Sequence, residues 1–151
     1  FARARAVTVA RPRSSLDAAA WAAREMGLSP VILGDAIEGE AAEAGRVMAG
    51  IARSVAEHGE PARPPAVLLS GGETTVTMRS PGGRGGRNST FLLGLVVACW
   101  ERPTGHQVAA IACDTDGRDG SERNAGALWL PEMQARTTLA QARDHLARCD
   151  A

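Results

Sequence analysis

Between Ser70 and Gly120 the chain sets polar, acidic and basic side chains among glycines in a pattern suited to an anion and a metal ion. The run reads SGGETTVTM (70–78), PGGRGGRN (81–88), an apolar FLLGLVVACW (91–100) and AIACDTDGRDG (110–120). Glycines let the backbone turn with positive φ and come close to a ligand. Ser70, Thr74 and Thr75 offer hydroxyls beside the N–H groups of Gly71, Gly72 and Glu73, a combination that can cradle an anion. Arg87 and Asn88 stand where a glycine loop enters a helix, and a helix N-terminus favours negative charge. The planar fork of Arg87 suits a carboxylate or a phosphate, whereas Arg79 and Arg84 are expected in solvent. Together these residues describe a site for an anionic, phosphorylated ligand.

Each motif also has a plainer reading. SGGETT lacks the Gly-Lys-Ser/Thr of a Walker loop and could be a hairpin turn. The Arg84–Arg87 loop could be simple glycine-rich surface. DTDGRDG invites comparison with a calcium loop, but Arg118 takes an oxygen position and Ala125 stands in place of the closing glutamate. Asp114 and Asp116 remain able to hold Mg²⁺ through one or two carboxylates and water. The alternative makes them turn caps, with Asp119 paired to Arg118. Asp35, Glu38 and Glu40 form a second acidic group, unless Asp35 caps the following helix. His58, His106 and His145 lack partners for a triad or a metal. Trp21, Trp100 and Trp129 are expected to pack.

The elements that must position these groups follow from periodicity. Residues 5–10 are β-like, Ser14 or Ser15 opens a helix ending at Gly27, and SPVILG (29–34) is a buried-type strand. A helix from about Glu38 to His58 stops at Gly59. AVLLS (66–70) and TTVTM (74–78) read as two strands around a Gly71-Gly72 turn. Asn88 or Ser89 caps helix 89–101, VAAIAC (108–113) is a strand, AGALWL (125–130) is ambiguous, and 133–148 is a helix. Alternating strands and helices predict an α/β fold, a three-layer α/β/α arrangement with a mostly parallel, Rossmann-like sheet. In such sheets ligands bind beyond the C-terminal strand ends, here Gly34-Asp35, Ser70–Glu73 and Asp114–Gly120.

Composition narrows the function. The 151 residues carry no net charge at neutral pH, which argues against a general nucleic-acid partner. All basic residues apart from the histidines are arginines, so no lysine chemistry can be completed by this chain alone. Cys99 and Cys113 lie in apolar runs and are expected to be buried thiols; with Cys149 the count is odd, which suggests a reducing, cytoplasmic setting. The longest apolar run is too short to span a bilayer, so no membrane role is expected. The start at Phe1 reads as a fragment or a trimmed product.

The strings ILGDAIEGEA (32–41), LLSGGETTVT (68–77), GRGGRN (83–88), DTDGRDG (114–120) and NAGA (124–127) together resemble the C-terminal MOFRL domain of class II glycerate 2-kinases. That family is also labelled hydroxypyruvate reductase. The resemblance implies one domain over residues 1–151, truncated at both ends, forming the incomplete C-terminal part of a two-domain protein. It implies ATP-dependent phosphorylation of D-glycerate with Mg²⁺, in a cleft shared with an N-terminal domain that holds most of the nucleotide and a catalytic lysine. Arg87 would bind the substrate carboxylate or the moving phosphoryl group. Ser70, Gly71, Gly72, Glu73, Thr74 and Asn88 would line the substrate wall, and Asp114 and Asp116 would serve the metal or orient the substrate.

Three functions follow. The first is the substrate side of a glycerate 2-kinase, inactive in isolation and open to homo-oligomer formation through an uncovered edge. The second is an NAD(P)H-dependent hydroxypyruvate reductase, for which no GxGxxG follows a strand here. The third is a non-catalytic module for small anions or a protein partner.

Overall fold

Proline's fixed φ suits a first helical turn, where its missing N–H leaves no bond unmade, and Pro12 opens helix α1 (Pro12–Glu25). The computed structural model describes residues 5, 7–78, 83–121 and 123–151. After α1 come strand β1 (Ser29–Glu40), helix α2 (Ala41–His58), strand β2 (Ala66–Thr75) and helix α3 (Arg87–Glu101). Strands β3 (Ala110–Cys113) and β4 (Gly126–Trp129), a 3-10 turn (Pro131–Arg136) and helix α4 (Leu139–Arg148) complete the described order.

β1 and β2 pair in parallel from Ser29↔Ala66 to Glu40↔Thr75, with register shifts around Gly34. Successive strand residues face opposite sides. Leu33 and Leu68 therefore pack on the core made by Met48, Ala49, Leu95, Val96 and Ala98 of α2 and α3. Gly71 faces the other way, where a Cβ would lie 3.6 Å from Leu16 of α1. Helices thus cover both faces of the parallel pair, the layered α/β arrangement expected from the alternation of elements. β3 and β4 form a separate antiparallel pair, Ala110↔Trp129 to Cys113↔Gly126, against α3.

Several local expectations are corrected. Gly71 and Gly72 do not make a turn: they lie inside β2, which runs unbroken to Thr75. Gly72, at φ 151°, lies so close to the backbone of Ile37 that no Cβ would fit there. β1 continues through Gly34 and Asp35 to Glu40, so neither residue ends a strand, Asp35 caps nothing, and α2 begins at Ala41. The described residues of 5–10 and residues 76–78 are not strand. Asn88 and Ser89 lie within the first turn of α3, whose N-cap is Gly86. The last predicted helix is split, because Thr138 caps a new one by accepting from the N–H of Gln141. Trp100 and Trp129 pack edge to face, but Trp21 is exposed. Cys113 is exposed on β3 and Cys99 half-buried; Cys149 is the buried thiol. Arg79, with Pro81 and Gly82 of the glycine loop, lies outside the described residues.

α2 and α3 approach closely because glycines face the contact. A Cβ on Gly45 would collide with the Phe91 carbonyl, and one on Gly94 would lie 2.5 Å from the Ala42 carbonyl oxygen. Gly94→Ala should therefore lower stability by about 1–3 kcal/mol, read as a shifted denaturant midpoint. Gly50 is also helical but meets nothing within 4 Å, so Gly50→Ala should raise stability by up to about 1 kcal/mol.

Candidate functional site

A helix leaves its first N–H groups without internal partners. In α3 the N-cap is a glycine, the first turn contains no acid, and no side chain caps locally. The partner comes from a distant loop. The Asp119 carboxylate, only 1% exposed, accepts from the backbone N–H of Asn88 and of Ser89, each at 2.8 Å. It also accepts from the Ser89 hydroxyl and, at 3.3 Å, from the Asn88 amide. Burial pushes the Asp119 carboxyl up, but these hydrogen bonds outweigh it and hold it below its ordinary value. Gly86 makes this approach possible, because a Cβ there would overlap the carboxylate.

The same junction sets Arg87. Its Nε and Nη2 donate to the two oxygens of Asp114 at 3.0 and 2.9 Å, a bidentate pair, and its Nη1 donates to Glu73. Asn88 donates to Asp114 at 3.0 Å. The hydrogen bond to Asp114 raises the Arg87 pKa; burial works against this, and the charges of Asp114, Asp116 and Asp119 add to it. The 114–125 loop is held by Asp114 N–H to Ala125 at 2.7 Å and Asp119 N–H to Asn124 at 2.8 Å.

Two braces fix the approach to Arg87. Glu40 accepts from both the N–H and the hydroxyl of Thr77 at 3.0 Å, which steers the chain as it leaves β2. The N–H of Gly85 donates to the carbonyl of buried Cys149 at 2.9 Å, so the end of α4 supports the glycine loop.

Of the residues selected from sequence, Arg87, Glu73, Asn88 and Asp114 come together in one network. Ser70, Gly71, Gly72 and Thr74 lie along β2 outside it, with Ser70 and Thr74 half-buried. Asp116 is exposed, and one of its oxygens accepts from the N–H of Arg118 at 2.9 Å. Arg84 and Arg118 are exposed, and Asp119 turns from Arg118 to the helix end. The sequence pairs Asp119 with Arg118 and takes Ser89 only as a local cap, whereas the two meet each other. Their one signal was a helix start with no acid of its own. Both Asp114 oxygens are engaged by Arg87 and Asn88, and no group of three or more His, Cys, Asp or Glu side chains suited to a metal ion occurs among the described residues.

The signature of the MOFRL family matches residues 66–151, which contain this whole network. The chain belongs to the MOFRL family. It is 56% identical over 129 residues to an Agrobacterium vitis protein provisionally named hydroxypyruvate reductase, covering 85% of this chain and 29% of that protein. It is 38% identical over 114 residues to a glycerate 2-kinase of Pyrococcus horikoshii, covering 76% and 25%. The crystal structure of a Thermotoga maritima glycerate kinase superposes with a TM-score of 0.77 at 27% identity, over 92% of this chain and 35% of that one. The MOFRL chain thus spans about a third or less of these relatives. Among its described residues no helix is long and apolar enough to cross a membrane.

Replacing Asp119 should weaken the whole junction. Asp119→Ala removes charge-assisted bonds to part-buried N–H groups and should cost about 2–3 kcal/mol in denaturant unfolding. A carboxyl held below its ordinary value stabilises the fold fully above 3.8, and that contribution is lost as pH falls through the lowered value. The stability of Asp119→Asn should therefore fall less steeply with acid below that pH than the parent's.

Proposed function

We propose that this MOFRL domain is the substrate-holding part of a glycerate 2-kinase and that Arg87 is its anion-binding group. The observation that carries this reading is the clamp on Arg87. A guanidinium has five N–H donors. Asp114 engages two and Glu73 one, so two remain for oxygens of glycerate or of the transferred phosphoryl group. Asp114 orients the arginine, Asn88 holds Asp114, and exposed Glu73 is the partner an incoming anion displaces.

Charge sets a condition. Glu73, Asp114, Asp116 and Asp119 surround one guanidinium. A bare anion would meet net negative charge, so binding requires further positive charge. A divalent cation, exposed Arg84 or Arg118, or a basic group outside this chain can provide it. Asp114 accepts three hydrogen bonds, from Arg87 and Asn88, and keeps one acceptor position beyond them for a metal ion. Exposed Asp116 has a carboxylate oxygen free to approach Mg²⁺ carried by ATP. ATP would supply the phosphoryl group, and this domain would position and neutralise the acceptor, the main demands of phosphoryl transfer. Most of the nucleotide would be held by the N-terminal domain of the longer protein, working in the cytoplasm.

The provisional name of the Agrobacterium vitis relative favours a second reading, reduction of hydroxypyruvate by NAD(P)H. ADP release from Mg-ATP and D-glycerate, and NADH or NADPH loss with hydroxypyruvate, separate the two on the reading frame that encodes this chain. ADP release that falls by about 10³-fold in Arg87→Ala is expected. Asp114→Asn should lower activity less, with Arg87→Lys no substitute for the bidentate fork. Reductant loss without ADP release would replace the kinase reading, and silence in both assays would defeat both.

A further inference from the structure

We infer that a second small-molecule site, for an aromatic carboxylate, lies at the opposite end of α3 from Arg87. It rests on none of the Arg87 assignment. A cavity of about 460 Å³ opens there between α2, the end of α3, the 102–108 connector and β4. That volume is within the range of small-molecule pockets. Its walls combine flat aromatic surface with positive charge: Trp100 and Trp129, edge to face at 5.2 Å, with Arg53, Arg102 and His106. Glu132 is the single carboxylate on the lining.

Arg53 decides the ligand's charge. Its Nε is buried and has no hydrogen-bond partner. A desolvated cationic donor without an acceptor is costly, and a small turn of the guanidinium into the cavity would let a carboxylate, whose geometry matches it, take that role. Arg102 is a weaker candidate, because it is exposed at the C-cap of α3 and keeps its hydration. The Trp pair explains why the ligand should be aromatic: a planar ring fits an edge-to-face pair and gains area there. Arg87 lies a full helix length away, roughly 20 Å for the 15 residues of α3, so one small ligand cannot reach both sites.

Cys99 lines the same cavity and reports on it. Burial raises its thiol pKa and the charge of Arg53, on the same lining, opposes that rise. Cys113 is exposed on β3 and serves as an internal control.

The test uses the 151-residue chain with indole-3-acetate and its neutral counterpart indole-3-acetamide as probes. Calorimetry should show the acetate binding about tenfold or more tightly than the amide. Saturating acetate should slow alkylation of Cys99 by iodoacetamide several-fold, mapped by peptide mass spectrometry, with Cys113 unchanged. Arg53→Met should abolish the preference for the acetate, and Arg87→Ala should leave it intact. Equal binding of the two probes, no protection of Cys99, or loss of binding in Arg87→Ala would each overturn the inference. The first two readouts need no variant, so misfolding of Arg53→Met would not rescue it.

Discussion

Everything at the candidate site depends on one buried carboxylate. Asp119 lies beneath the N-terminus of α3 and takes the N–H groups of Asn88 and Ser89, 31 and 30 residues away in sequence. A charge removed from water is tolerated only where donors replace the lost hydration. Here the helix end, the Ser89 hydroxyl and the Asn88 amide supply them. The reverse dependence is as strong. Without Asp119, two helical N–H groups would lose their acceptor, and the loop from Asp114 to Ala125 would lose its anchor on the helix. Gly86 is the steric condition for this contact, so the glycine loop serves packing first and ligand access second.

Arg87 gains its position from that junction and its poise from competition. Asp114 holds it bidentately, which fixes the plane of the guanidinium at the cost of neutralising much of its charge. An arginine arranged in this way orients an anion better than it attracts one. Attraction must come from further positive charge at the site. This domain spans about a third or less of each of the relatives described above.

The sequence made the alternation of strands and helices legible, and with it the α/β class, because apolar spacing distinguishes α2 and α3 from the strand runs. It also singled out Arg87, Asn88, Glu73 and Asp114, whose residue types and loop positions advertise anion chemistry. It misled where glycine has two physical uses. Gly71-Gly72 looks like a turn, yet Gly72 is there because the Ile37 backbone leaves no space for a side chain. Asp119 was obscured for another reason: its partner is a helix end distant in sequence, and nothing local distinguishes a buried cap from a solvated ion pair with Arg118. Cys113 and Trp21 failed because an apolar stretch does not reveal which of its faces is covered, and both side chains stand on uncovered ones.

α3 runs between two chemically different ends, one closed by Asp119 and one beside the Trp100–Trp129 cavity. Its middle is the most buried part of the fold, with Leu92, Leu95, Val96, Val97 and Ala98 all in the core. Gly45 and Gly94 bring α2 against it without slack. Close-packed interiors do not deform continuously, so α3 cannot slide without displacing α2 and the strands beneath it. Small ligand contacts at either end would therefore be absorbed by local side chains, and binding at one end should leave the affinity of the other nearly unchanged. Rigidity of this kind also keeps Arg87, the first residue of α3, in the plane that Asp114 sets.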